Sequence, residues 1–297
     1  MIGALLALGA AALLGLNTAI VRRGARYAPA YHLIVFSLVA ATPIFVILAF
    51  VSGQSDRAGA LSTTDYALLA LAGLLNFIGG RYSNFRAIHA IGANLTAPLR
   101  TLAILLSAVL GFALLDEELT ALRGIGIALL IAAPLIAFSQ PSQMRAELKG
   151  GTVLKLTEGF SFATLASVSY AFANFLIGYV LVDTGLSILG AAVAHAAAAA
   201  VMLATLAWPG RLRSIGALGM RSLYVFLAVT AVMVTVQIQR FAAFERAPVS
   251  VVSALIETLG FFGLGFAYLF NRHLEAFSPQ VVAGVVLAVV GAVVLTI

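Results

Sequence analysis

Residues 1–21 read MIGALLALGAAALLGLNTAIV and residues 277–297 read FSPQVVAGVVLAVVGAVVLTI; neither stretch contains a charged side chain. Each is long enough for a helix, which rises 1.5 Å per residue, to cross a hydrocarbon core about 30 Å thick. Of 297 residues, 62% are hydrophobic and 9% are charged, whereas soluble domains have about 25% charged residues. The apolar runs are continuous and do not alternate with polar residues, so they predict membrane-spanning helices and not a β-barrel.

Apolar runs separated by charged or Gly/Pro-containing segments predict ten spans. The spans lie near residues 2–21, 29–51, 66–88, 92–114, 122–139, 159–182, 186–208, 222–244, 249–270 and 278–297. The only long polar connection, residues 140–158, falls near the middle of the chain and is predicted to be a linker. The sequence therefore predicts an all-α polytopic membrane protein with five spans in residues 1–139 and five in residues 159–297.

The two halves resemble each other in sequence. FRAIHAIGANL at residues 85–95 aligns without a gap with FAAFERAPVSV at residues 241–251, and Asn17 in span 1 matches Asn174 in span 6 at nearly the same offset. Because five spans is an odd number, the second half must enter the membrane from the opposite face. This predicts two inverted five-helix repeats, an architecture of transporters whose substrate site lies near the bilayer midplane.

This organisation resembles the EamA-like branch of the drug/metabolite transporter superfamily. The resemblance covers nearly the whole chain and rests on the arrangement of five plus five spans and on short motifs. These motifs are Gly15-Leu16-Asn17 in span 1, Ala87-Ile88-His89 at the end of span 3, and Glu118-Leu119-Thr120 with Gly126 at the start of span 5. The resemblance implies a multi-pass protein of the cell (inner) membrane that exports or exchanges metabolites, amino acids or drugs.

The chain departs from the usual pattern of that family at two positions. Leu14 stands where the family has Trp, and Phe36-Ser37 stands where the family has an Arg in span 2. His195 in span 7 is a candidate counterpart of that Arg. The resemblance therefore narrows the class of cargo without naming the cargo.

Two ionisable residues within the spans are the main candidates for substrate binding. A charged group at the membrane centre costs about 2.5–3.5 kcal/mol on insertion scales, so it calls for a function or a partner. Arg100 and Glu257 are the ninth residues of spans 4 and 9, and inverted repeats bring both side chains towards the midplane. In a substrate clamp, Arg100 would bind a carboxylate and Glu257 an amine or a proton. The alternative is a static ion pair between the two helices.

Further polar residues in the spans are candidate substrate-binding residues. They are Asn17, Asn76, Arg81, Tyr82, Asn174, His195 and Arg240. For the duplicated amides Asn17 and Asn174, hydrogen bonding between helices is the competing interpretation. For His195, proton handling competes with simple packing.

Catalytic and metal sites are not predicted. The sequence has no cysteine, no Gly-rich phosphate loop and no His/Asp/Glu set with the spacing of metal ligands. The acidic run 116–118 is interpreted as the end of helix 4 and the start of helix 5, where carboxylates favour the helix dipole. We therefore expect no enzyme activity, no cofactor and no nucleic-acid partner.

The function predicted from the sequence is a secondary transporter with alternating access. It would move a small polar metabolite, such as an amino acid or a related zwitterion or amine, by efflux or exchange. Its partners would be that small-molecule substrate, membrane lipids and, as a candidate, a coupling proton. An intramembrane enzyme or a channel is the alternative.

The distribution of Arg and Lys predicts the orientation of the chain. Connections after spans 1, 3, 5, 7 and 9 hold twelve Arg and Lys residues, whereas the remaining connections hold four. Because positive residues favour the cytoplasmic side, both termini are predicted to lie outside the cytoplasm. The usual orientation in the resembling family is the opposite.

Overall fold

A computed structural model describes residues 1–24, 30–137, 155–207, 219–270 and 279–296. The helices are α1 (Ile2–Gly24), α2 (Ala30–Val51), α3 (Thr63–Gly73), a π-helical segment (Leu74–Tyr82), α4 (Ser83–Leu114), α5 (Ala121–Ala137), α6 (Leu156–Leu181), α7 (Ser187–Thr205), α8 (Met220–Arg246), α9 (Val249–Ile256), α10 (Leu259–Phe270) and α11 (Pro279–Thr296); a 3-10 helix covers Ser55–Ala60. The described residues contain eight helical stretches long and apolar enough to cross a membrane, and α5 is a shorter apolar helix. The predicted all-α polytopic fold is confirmed.

Spans 3 and 4, which are predicted as separate helices, are joined by helical backbone, since α3, the π-helical segment and α4 follow one another directly. Both Gly80 and Arg100 nevertheless lie beside Tyr170. A Cβ atom on Gly80 would be 2.6 Å from Cδ1 of Tyr170, and the Arg100 guanidinium is 6.0 Å from the Tyr170 ring centre. A straight helix would separate residues 80 and 100 by about 30 Å. The chain therefore turns back between them.

Both ends of the described chain lie at one face of the helix bundle, here called the terminal face. A Cβ atom on Gly3 would lie 2.6 Å from Cβ of Ala247, in the α8–α9 connection. Near the other end of the chain, Leu295 of α11 packs against Gly126 at the start of α5. An even number of crossings requires this arrangement.

The second half of the chain enters from the opposite face. The backbone N–H of Lys155, just before α6, donates to the carbonyl oxygen of Ala90 at the turn between spans 3 and 4. Helix α1 starts at the terminal face, whereas α6, its equivalent in the second repeat, starts at the opposite face. This is the predicted inversion. Of the predicted linker, residues 155–158 lie at the start of α6 and the remainder lies outside the described residues.

Side chains of the terminal-face connections cap helices of the other repeat. Gln54 Oε1 accepts hydrogen bonds from the N–H groups of Ile188 and Leu189, at 2.9 and 3.0 Å, at the start of α7. Glu117 accepts from the N–H groups of Val249 and Ser250, at the start of α9. Glu117 therefore stabilises the positive end of α9. The prediction that the acidic run stabilises the start of α5 is wrong for Glu117.

The close contact between α3 and α7 depends on Gly73. A Cβ atom there would lie 2.7 Å from the backbone carbonyl carbon of Ala194. Because backbone cannot move aside as a side chain can, we expect Gly73→Ala to cost about 1–3 kcal/mol of stability. Thermal unfolding of the purified protein in detergent should show a melting temperature several degrees lower. Gly265→Ala is the matched control, since nothing lies within 4 Å of its Cβ position; equal melting temperatures for both variants would contradict this packing.

The orientation prediction stays open to a direct test. The structure places Arg81 and Arg240 inside the bundle, so neither is a loop residue. Arg81 is counted with the connections after the odd-numbered spans and Arg240 with the remaining connections, so each group loses one positive residue. The bias is unchanged, and both termini are expected outside the cytoplasm. A fusion of alkaline phosphatase to the C-terminus should therefore be active and a fusion of green fluorescent protein dark. The reverse pattern would show that the termini are cytoplasmic.

Candidate substrate site

Arg100 and Glu257 form an ion pair between the two repeats. Nη2 of Arg100 lies 2.9 Å from Oε2 and 3.1 Å from Oε1 of Glu257, and the side chains are 21% and 13% exposed. Glu257 lies at the break between α9 and α10, about 12 Å along the helix from the start of α9 at the terminal face. Both residues line a cavity of about 50 Å³. The predicted approach of these two side chains is therefore observed.

Arg240 of α8 is bound by neutral oxygen atoms. Its guanidinium donates to Oδ1 of Asn76 at 2.8 Å, to Oε1 of Gln237 at 3.4 Å and to Oδ1 of Asn174. Asn174 in turn donates to Oγ of Ser253 at 3.0 Å. Arg240 is only 5% exposed, so these amides replace water around a buried cation.

The π-helical segment carries Asn76 and Arg81. Its i→i+5 hydrogen bonds place residues five apart above one another, so both side chains lie on the same face of the segment. Nη1 of Arg81 donates to Oγ of Ser37 at 3.2 Å, whereas its Nη2 is buried and has no hydrogen-bond partner among the described residues. Segments of π-helix are rare and often occur at functional sites.

Tyr170 of α6 connects these groups. Its ring centre lies 6.0 Å from the Arg100 guanidinium, and Arg81, Arg240 and Glu257 lie in its surroundings. Gly80 allows this position, because its missing side chain leaves room for the Tyr170 ring. We call the residues Asn76, Arg81, Arg100, Tyr170, Asn174, Arg240 and Glu257 the central cluster.

His195 borders the central cluster. It is 2% exposed and lies between the rings of Phe45 and Phe77, whose centres are 4.4 and 4.6 Å away. Its Nδ1 donates to a carbonyl oxygen one turn earlier in α7. This environment fits packing at least as well as proton handling.

Two of the candidate residues are not brought to the central cluster. Tyr82 is 46% exposed and contacts Phe162 edge-on, on the outer surface of the bundle. Oδ1 of Asn17 in α1 is buried and has no partner among the described residues. The similarity of Asn17 to Asn174 in sequence therefore does not extend to the contacts of Asn174.

Sequence reasoning missed Tyr170 and Ser253 and did not assign Gln237 or Ser37 to the site. Helical spacing was the available signal for two of them, since Tyr170 precedes Asn174 by four residues and Gln237 precedes Arg240 by three. Ser37 and Ser253 contact the cluster only through tertiary packing. The described residues hold no group of three or more side chains suited to a metal ion.

The comparisons with known proteins agree with this fold. Residues 1–139 match the EamA-like transporter family. A solved structure titled "Crystal structure of protein" superposes with a TM-score of 0.74 at 16% identity, over 99% of this chain and 98% of its own. At that identity the similarity shows the fold alone. No curated protein matches the chain.

Proposed function

We infer that this chain, whose residues 1–139 match the EamA-like transporter family, is a secondary transporter that moves a small polar metabolite by alternating access. The substrate site would be the central cluster, with the Arg100–Glu257 pair at its core. The match of residues 1–139 to that family supports a membrane transporter of the drug/metabolite type. Export or exchange across the cell (inner) membrane is part of the proposal.

The ion pair between the repeats is the observation that supports this proposal most strongly. Glu257 interrupts a helix of the second repeat, and Arg100 belongs to the first repeat. Discontinuous helices at the interface of inverted repeats form substrate sites in several transporter folds. Movement of one repeat against the other would act directly on this pair.

Substrate exchange with the pair gives a mechanism for coupling. Opening the pair without replacement would leave two buried charges unpaired, at about 3–5 kcal/mol. A zwitterion such as an amino acid would offer a carboxylate to Arg100 and an amine to Glu257. The barrier to opening would then be low only when cargo is bound, or when a proton neutralises Glu257.

Reconstitution tests the proposed function. Purified protein in sealed liposomes should accumulate a radiolabelled solute by counterflow when the same solute is loaded inside. A screen would cover neutral and acidic amino acids, amines, nucleosides and organic acids, with protein-free liposomes as the control. Turnover of a lipid or peptide without movement of any solute would replace the transporter with an intramembrane enzyme.

A further inference from the structure

The central cluster carries more positive than negative charge. Arg81, Arg100 and Arg240 contribute three guanidinium groups, and Glu257 is the carboxylate that interacts with the shared Tyr170. Glu257 is paired with Arg100. Arg240 is bound by amide oxygens and Arg81 by a hydroxyl, and neither has an ion-pair partner among the described residues. Two cations are therefore in excess at the site.

Other carboxylates of the described chain are held away from the cluster. Glu117 and Glu245 bind N–H groups at the starts of α9 and α7, and Glu158 pairs with Arg86 near the opposite face. The remaining described carboxylates lie in the terminal-face connections or the first turn of α3: Asp56, Asp65, Asp116, Glu118 and Asp183. A local side-chain movement does not supply the cluster with a second anion.

Unused donors also lie within the cluster. Arg81 Nη2 and Arg100 Nε are both buried and lack hydrogen-bond partners among the described residues. Guanidinium groups bind carboxylate and phosphate oxygens through two parallel hydrogen bonds. Since a buried unpartnered donor is costly, an anionic ligand would satisfy groups that the protein leaves unsatisfied.

We propose that the substrate is a small organic acid with two anionic groups. This inference rests on the proposed function and names its substrate class. One anionic group would bind Arg100, and the second would bind between Arg81 and Arg240. Asn76, a ligand of Arg240, lies five residues before Arg81 in the same π-helical segment, so the second site is compact, less than about 8 Å along the helix. An amine that binds Glu257 is optional, whereas the second anionic group is required.

Matched solutes test the charge requirement. Glutamate and glutamine, and likewise succinate and succinamate, have nearly the same shape but differ by one negative charge. In liposome counterflow, we expect each acid to inhibit the uptake of the radiolabelled solute found in the screen. The acid should do so at a concentration at least tenfold lower than its amide requires. The same order should appear in the stabilisation of detergent-purified protein against heat, which does not depend on transport.

The variant Arg81→Gln locates the effect. It should reduce the preference for the acid to less than threefold while the amide still binds, because Gln donates a hydrogen bond without the charge. Arg123→Gln, at the terminal face, is the control and should keep the full preference. If Arg81→Gln fails to fold, the acid-to-amide ratios of inhibitory concentration in the unmodified protein decide whether the second anionic group is required.

The outcomes separate the inference from the proposed function. Equal or better recognition of the amides, with transport intact, would overturn the dianionic substrate and leave the transporter. Recognition of the acids without movement of any solute would support the binding site and overturn transport. If Arg81→Gln leaves the preference for the acid unchanged, Arg81 does not bind the second anionic group of the substrate.

Discussion

A protein with Arg100→Met and Glu257→Gln combined is expected to fold, remain in the membrane and move no cargo. The two side chains form one ion pair at 2.9 Å and are mostly buried, so their joint replacement leaves no unpaired charge. Replacement of a buried ion pair by residues of similar volume is often neutral or stabilising. The double variant therefore separates stability from function: the fold loses little, whereas a charged substrate loses both groups of the clamp.

The single variants give the comparison that interprets the double variant. Arg100→Met leaves Glu257 buried without its cation, and a loss of about 3–5 kcal/mol of stability is expected. Glu257→Gln leaves Arg100 in a cluster that already has excess positive charge, so its yield after solubilisation should also fall. Gel filtration with a fluorescent fusion measures folding, and counterflow measures transport. Transport by the double variant at close to the normal rate would reduce the pair to a static link between helices.

A proton-coupled mechanism makes a further distinction with the same variant. If Glu257 carries the coupling proton, Glu257→Gln should abolish uptake driven by a pH gradient, because the amide cannot release a proton. Counterflow exchange should survive in part, since it needs no net proton movement. Loss of both activities together would assign Glu257 to substrate binding alone.

The apolar helices and the meeting of Arg100 with Glu257 could be predicted because both depend on local sequence and on symmetry. A run of apolar residues predicts a span wherever it occurs, and inversion of the repeats fixes which residues meet near the midplane. The contacts of Glu117 and Tyr170 could not be predicted in this way. Glu117 caps a helix 132 positions away, and Tyr170 reaches the cluster because Gly80 on another helix has no side chain.

The π-helical segment shows a second limit of sequence patterns. The residues Leu74–Tyr82 have a composition that suits an α-helix with two glycines, and the wider turn occurs where the segment packs against α6 and α7. That turn places Asn76 beside Arg240 and directs Arg81 to Ser37. Asn17 shows that a match between the repeats can also mislead. Its position is equivalent to that of Asn174, but it lacks the hydrogen bonds that Asn174 makes with Ser253 and Arg240.

Arg240→Met is expected to abolish transport while the protein stays folded. Arg240 is 5% exposed and is held by the amide oxygens of Asn76, Asn174 and Gln237, and it forms no ion pair with a carboxylate among the described residues. A buried cation without an ion-pair partner is a cost to the fold, and its removal offsets the loss of its hydrogen bonds, so the melting temperature should stay nearly unchanged. The amide groups that Arg240 no longer binds can hydrogen-bond to each other, which limits the number of hydrogen bonds lost. The cation persists in spite of its cost because, in our proposal, an anionic substrate supplies the missing charge.

The measurement pairs counterflow with thermal unfolding for Arg240→Met and for the control Arg123→Met at the terminal face. We expect at least a hundredfold loss of counterflow in Arg240→Met, equivalent to about 2.7 kcal/mol of lost interaction, and no change in Arg123→Met. Arg240→Lys should recover only part of the activity, because an ammonium group keeps the charge but cannot bind three amide oxygens in the planar geometry of a guanidinium. If Arg240→Met unfolds and Arg240→Lys restores both stability and full transport, Arg240 has a structural role and serves to hold its amide ligands together. A stable, inactive Arg240→Met together with a weakly active Arg240→Lys would place the guanidinium in direct contact with the cargo.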